Sequence, residues 1–115
     1  MLSKKYRVSS EKDILQTLKR GKAISSAYLT LRYLDNHLPV ARFGFVVSKK
    51  IHNKSAKRNL PKRRLRSIVA RHLSEISTGA DYLFLAKPKI LELDFQDLEI
   101  DVGTLLDKAG ALKKI

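Results

Sequence analysis

In the stretch KRNLPKRRLR, residues 57–66, six of ten side chains are Lys or Arg. Arg58, Lys62 and Arg66 recur every fourth residue, so a helix would stack them along one face, with Leu65 turned toward a core. Guanidinium forks match phosphate oxygens bidentately, and such a row can follow a phosphate backbone. Arg63 adds a further cation. Asn59 offers a donor and an acceptor, suited to orienting an arginine or reading a sugar hydroxyl. Lys49, Lys50 and Lys54 extend the patch if the chain turns directly from the preceding strand into the helix. Contacts of this type position a polyanion and carry little sequence information. Tyr28, Tyr33, Phe43 and Phe45 are available to stack bases, although strand aromatics more often fill a core.

No other grouping suggests chemistry. His37, His52 and His72 stand too far apart for ligand spacing. His72 falls on an apolar helical stripe and reads as a packed, satisfied side chain. His52 shares the basic segment and so could touch phosphate. The carboxylates of ELDFQDLEID read as the solvated start of a helix. There is no cysteine, hence no disulfide or thiolate site. No glycine-rich phosphate loop or nucleophile–base pattern is present. The sequence shows no catalytic apparatus of its own, and metal positions are not legible in it.

The charge distribution says what the patch is for. The net charge is +13 over 115 residues. From Asn36 to Ser74 there are 11 basic residues and no acid, whereas Glu75 to Asp107 holds eight acids against Lys87 and Lys89. Solubility alone does not require acids to be absent from 39 consecutive residues. The asymmetry points to a polyanion, above all nucleic acid. No apolar run has signal-peptide or membrane-span length, so a soluble cytoplasmic protein without a membrane partner is expected.

The elements that must position the patch follow from periodicity. Residues 10–20 form a helix capped by Ser10, with Ile14, Leu15 and Leu18 as its apolar stripe and Gly21 at its end. Strands are expected over 27–34 and 40–48, separated by the turn DNHLP. Gly44, in mid-strand, marks a close approach. A long helix over 59–76 presents Leu65, Ile68, Val69, His72, Leu73 and Ile76 on one stripe. A strand over 80–88 and a final helix complete the chain. The order is helix-strand-strand-helix-strand-helix: α+β, a small two-layer α/β sandwich with a mostly antiparallel sheet. The 40–48 and 80–88 strands run parallel if they are neighbours. A single RNA-binding domain over 1–115 is expected.

RFGFVVSKK at 42–50, followed by KSAKRNLPKRRLR at 54–66, resembles the protein component of bacterial ribonuclease P. Val47, Ser48, Lys49 and Lys50 match the family's strand end. Arg58, Asn59, Lys62, Arg63 and Arg66 match its arginine helix. DILQTLKRGK at 13–22 and GADYLFLAKP at 79–88 look like its first helix and last strand. The resemblance spans roughly residues 10–105.

The resemblance implies a left-handed strand-helix-strand crossover. It implies a subunit that binds ribonuclease P RNA through Lys49, Lys50, Lys54, Arg58, Asn59, Lys62, Arg63 and Arg66. It further implies a cleft between first helix and sheet that holds the 5′ leader of precursor tRNA. Ile14, Leu18, Tyr28, Thr30 and Arg32 map there. Catalysis is then expected in the RNA, with Mg2+ mainly RNA-bound, and no obligate protein partner. Departures from the family are Leu60 in place of a cation, Pro61, a loop one residue longer and lacking glycine, and Ile14 and Leu18 where phenylalanines are usual. Arg32 stands on the strand face that often carries an aromatic. Pro61 predicts that the regular helix begins late, near Asn59, or kinks. The alternatives to a ribonuclease P subunit are a free-standing RNA-binding protein, such as a ribosome-associated factor, and a DNA-groove binder. The basic face argues against the latter, because Asn59 is its only amide.

Overall fold

The structure is a computed structural model and describes residues 2–113. Its elements are α1 (Glu11–Arg20), β1 (Lys22–Ser25), β2 (Leu29–Asp35), β3 (Arg42–Val46), α2 (Ser55–Arg71), β4 (Ala80–Ala86) and α3 (Phe95–Lys108). Short 3-10 turns occupy Lys4–Tyr6, Leu73–Glu75 and Pro88–Glu92. The sheet order is β1-β2-β4-β3, antiparallel except for the parallel β3–β4 pair. The α+β class and the parallel pair agree with the sequence reading. The reading missed β1 and gave no strand order; β4 lies between β2 and β3.

The strand alternation sorts the sheet into two faces. Leu29, Leu31, Phe43, Tyr82 and Phe84 are buried in the core shared with α2 and α3. Phe43 stacks on Tyr82 with ring centroids 5.4 Å apart, and Phe45 on Phe84 at 5.9 Å. From α2, Leu65, Ile68 and Val69 enter this core, and from α3 Leu98, Val102, Leu105 and Leu106. Each such side chain contributes about 1.5–3 kcal/mol by leaving water. The predicted stripe of α2 is thus real over its buried members. Ile76 is buried just beyond the helix, while His72 and Leu73 sit at its margin.

The opposite face receives α1. Ser10 caps this helix as predicted, its hydroxyl accepting from Asp13 N at 3.5 Å. Gly44 fulfils the expected close approach, since a Cβ there would stand 2.5 Å from the buried Leu83 Cδ2. Arg42 and Asp81 face each other across β3 and β4, and Asp81 is buried. Arg42 donates to Asp81 through Nε at 2.8 Å and Nη2 at 2.7 Å, and through Nη2 to Asp13 of α1 at 3.2 Å. Asn36 Nδ2 completes the cluster at 2.9 Å from Asp81.

The predicted late start of α2 is not what forms. The helix begins at Ser55 and is helical throughout to Arg71, with Pro61 inside it. Proline withdraws the bond that would reach the Lys57 carbonyl, a cost of ~3 kcal/mol in an interior position. Two features offset it. Pro61 is buried, and the first turn is secured from outside. Lys54 O accepts from Lys57 N and Arg58 N, each at 3.2 Å. Arg58 Nη1 donates to His52 O at 2.8 Å and Asn53 O at 3.0 Å.

Gly21 lets α1 turn directly into β1. A Cβ there would lie 2.4 Å from Thr17 O and 2.9 Å from Tyr33 O, both backbone atoms that cannot yield cheaply. Gly21→Ala should therefore lower the unfolding free energy by about 1–3 kcal/mol, as overpacking does. Urea denaturation checks this, and an unchanged midpoint would show that the α1–β1 junction is slack.

Candidate nucleic-acid interface

The N-terminal half of α2 projects its cations away from the core because Leu65, Ile68 and Val69 fix the helix's rotation. Asn59, Lys62, Arg63 and Arg66 come together there, lining a shallow groove of about 360 Å³ floored by Ala56. Lys49, Lys50 and Lys54 are exposed on the turn that leads into the helix. The helix opens with no acid in its first turn and no side-chain cap. The positive end of its dipole is therefore unopposed and adds to the field of the lysines.

Not every cation of the segment is available. Arg42 is held by Asp81 and Asp13. Its guanidinium is shifted further toward the charged form, first by the hydrogen bond to Asp81. Arg64 Nη1 donates to Leu93 O at 2.9 Å, pinning α2 to the segment before α3. Arg71 pairs with Glu99 at 3.3 Å and lies over the Phe95 ring. Arg58, expected on the RNA face, is half-buried, and its Nη1 fastens the preceding loop. His52, also expected near phosphate, accepts from Lys54 N through Nδ1 at 3.1 Å. Among the described residues, Lys49, Lys50, Lys54, Lys57, Lys62, Arg63 and Arg66 make no ion pair or side-chain hydrogen bond. Lys57 was not singled out in the sequence, although it lies in the same run. Leu60, where the family carries a cation, is 43% exposed, so it has no place in the core.

The residues expected in a cleft beside α1 divide. Ile14 and Leu18 are half-buried on the helix, and Thr30 and Arg32 half-buried on β2. Thr30 Oγ1 bonds Ser25 Oγ at 2.9 Å, tying β2 to β1. Arg32 Nη2 lies 3.4 Å from Gly21 O at the end of α1, and its buried Nε has no partner. Tyr28 does not join this row. β2 begins one residue later, so the strand alternation does not extend to it, and it packs against the helix-covered core. Ile14 instead meets β3, where Arg7, Gly44, Val46, Leu83 and Arg66 line a slot of about 150 Å³. The sequence reading did not single out Arg7, Val46 or Leu83.

Among the described residues no group of three or more His, Asp or Glu side chains could hold a metal ion. Among the described residues no helix is long and apolar enough to cross a membrane.

An α+β domain with a parallel β3–α2–β4 unit, one cationic helix face and an α1-side slot defines a narrow class. A family model described as Ribonuclease P matches residues 2–110. The ribonuclease P protein component of Syntrophomonas wolfei is 33% identical over 96% of this chain and 92% of its own. The solved RNase P protein of Thermotoga maritima superposes with a TM-score of 0.82 at 28% identity, covering 89% of this chain and 96% of that one. That of Staphylococcus aureus shares the fold with a TM-score of 0.86 at 22% identity, over 94% and 98% of the two chains. The chain belongs to this family, whose members are protein components of ribonuclease P, an endoribonuclease of tRNA processing.

The far end of α2 carries a pH-sensitive contact. His72 Nδ1 lies 2.5 Å from Glu75 and Nε2 2.8 Å from Glu99, linking α2 to α3. These bonds, Glu75's first, hold its pKa above the ordinary 6.5. Protonated His72 therefore contributes stability that is full below the unfolded value and is lost as pH rises through the raised one. Unfolding midpoints should fall over that window in the natural protein and stay flat in His72→Gln. Equal slopes in both would remove His72 as the cause.

Proposed function

We propose that this chain binds the RNA subunit of ribonuclease P with the exposed cations of α2 and the preceding turn, and holds the 5′ leader of precursor tRNA beside α1. The observation that carries the reading is the row of unpaired cations around Asn59, Lys62, Arg63 and Arg66 on a helix with no acid beside it, in a chain of this family. Lys62 and Arg66 lie one turn apart and reach successive phosphates. Arg63 broadens the contact, and Asn59 orients a neighbour or reads a ribose hydroxyl.

Hydrolysis belongs to the RNA in this reading. Mg2+ prefers oxygen donors and near-octahedral geometry, and the basic face offers only the Asn59 amide oxygen beside its ammonium and guanidinium groups. These residues do not fit a protein-held Mg2+. The cations of the chain instead bind and orient RNA, neutralising phosphates that would otherwise repel one another.

Reconstitution with the ribonuclease P RNA of the same genome tests the reading. At low magnesium the protein should accelerate leader removal from a precursor tRNA, and Lys62→Ala with Arg66→Ala should abolish most of the gain. Arg58→Ala is a poorer probe, because it also frees the loop before α2. Five phosphate contacts would give a slope of about −3.5 in log affinity against log salt, from roughly −0.7 per contact with a single strand. No acceleration, or a slope near zero, would contradict the proposal.

Arg32 stands where a stacking ring is usual, so the cleft beside α1 gains a charge at the expense of a π-face. Arg32→Ala should weaken leader binding at low salt and lose that effect at high salt. Equal affinity for a leader-bearing tRNA at low salt would show that Arg32 serves only as a cap on α1.

A further inference from the structure

Three features take no part in the function proposed above. The first is Leu60, exposed on α2 between two cations: Lys57 lies one turn before it and Arg63 one turn after it. An isobutyl group adds nothing to a phosphate contact. The second is Gly103, in the middle of α3, where a Cβ would meet nothing within 4 Å. Glycine weakens a helix relative to alanine, and here neither a positive φ nor a close approach requires it. The third is an apolar groove of about 690 Å³ with Gly103 in its lining. Ile68 and Val69 line it from α2, Val102 and Leu106 from α3, and Ile100 stands beside them with 67% of its surface exposed.

Glu75 and Glu99 bring two carboxylates to this groove. Each turns Oε2 to His72, and neither Oε1 has a partner among the described residues. Lys113 also lines the groove, but outside it α3 exposes Asp97 and Asp107. A leucine flanked by two cations therefore complements an apolar groove flanked by carboxylates. One molecule cannot join the two. Leu60 and Ile68 are fixed on the same helix, eight residues and about 12 Å apart along its axis.

We propose that, in the absence of RNA, the α2–α3 groove of one molecule receives Leu60 of a second copy, with Lys57 and Arg63 of that copy set against Glu75 and Glu99. Gly103 leaves room for the incoming side chain and lets the second helix approach the α3 backbone. Donor and acceptor surfaces differ, so the contact is heterologous: each added copy leaves one groove and one Leu60 free, and the assembly does not close. Arg63 also lines the basic groove of α2. RNA and a second copy therefore compete for the same helix face. The protein covers its cationic helix with its own acidic side until RNA displaces it.

Sedimentation equilibrium of the whole protein without RNA tests the contact. Salt of about 0.15 M brings the Debye length to about 8 Å and screens repulsion between molecules of charge +13. The weight-average mass should climb with concentration and show no plateau at two copies. Leu60→Lys removes the leucine and Gly103→Leu fills the groove. Each should weaken association at least about tenfold, the scale of one buried leucine side chain. Gly103→Leu keeps the fold, since its side chain enters open space, and its thermal midpoint should not fall. Mixed together, the two variants should form a one-to-one pair that grows no further, because one retains the groove and the other the leucine. Excess ribonuclease P RNA should break that pair. A natural protein that stays monomeric at every concentration, or variants that do not pair on mixing, would overturn the proposal. So would a mass that stops at two copies and falls with Ile100→Asp but not with Leu60→Lys, which would assign the groove to a two-fold pairing of α3. A pair that survives RNA binding would overturn the competition. Because association is measured without RNA, its failure leaves the function proposed above untouched.

Discussion

Asp81 carries a carboxylate into the sheet interior, and Arg42 on the neighbouring strand makes that burial tolerable. A lone buried carboxylate would be costly, whereas a bidentate guanidinium with further hydrogen bonds satisfies it. Here Asn36 supplies one such bond, and the same Arg42 reaches Asp13 on α1. The cluster joins four parts of the chain: α1, the turn after β2, β3 and β4. Because Arg42 and Asp81 sit directly opposite each other, it also fixes the register of the parallel pair. That register determines where α2 leaves β3 and where it must return to β4. The orientation of the cationic face is thus set by an ion pair well outside that face.

The division of labour among the cations follows side-chain chemistry. The positive residues of the middle segment that fasten the fold are arginines: Arg42 to carboxylates, Arg58 and Arg64 to carbonyls, Arg71 to Glu99 and the Phe95 ring. A planar fork loses less freedom per hydrogen bond and is more easily desolvated than an ammonium. The lysines, strongly hydrated point charges on flexible stems, remain at the surface. Arg63 and Arg66 are the exceptions, left exposed on the groove-lining side of α2. A count of charges in sequence therefore overstates the working surface, and the residue type partly corrects the overstatement.

Local physics made much of this legible. The apolar stripe of α2, the Ser10 cap and the close approach at Gly44 follow from periodicity and from the absence of a side chain. What escaped was set by distant partners. β1 is four residues at a sheet edge, with too little alternation to announce itself. The turn after β2 was read correctly as a turn, but only tertiary pairing determines that β4 enters between β2 and β3. Pro61 was weighed as an intrinsic helix breaker, and burial with an arginine brace overrode it. Tyr28 lay one residue outside the strand that would have aimed it. Arg7 follows a short 3-10 turn and its place is set by pairing with distant Phe43, whereas the Asn59–Arg66 groove was legible because its members share one helical face.

The place of β4 also constrains the order of events in the chain's synthesis. It is bonded to both β2 and β3, so neither half of the sheet is complete until residues 80–86 have emerged. Leu29 pairs with Ala86, and such long separations defer ordering, since loop closure must be met before contacts reward it. By then the whole cationic segment has left the ribosome with no sheet to hold it in shape. Until β4 arrives, that segment is a flexible polycation, attracted to any nucleic acid through charge alone. Insertion of one largely apolar strand gives that flexible segment a fixed shape. The growing chain acquires the shape of its cationic face late and all at once.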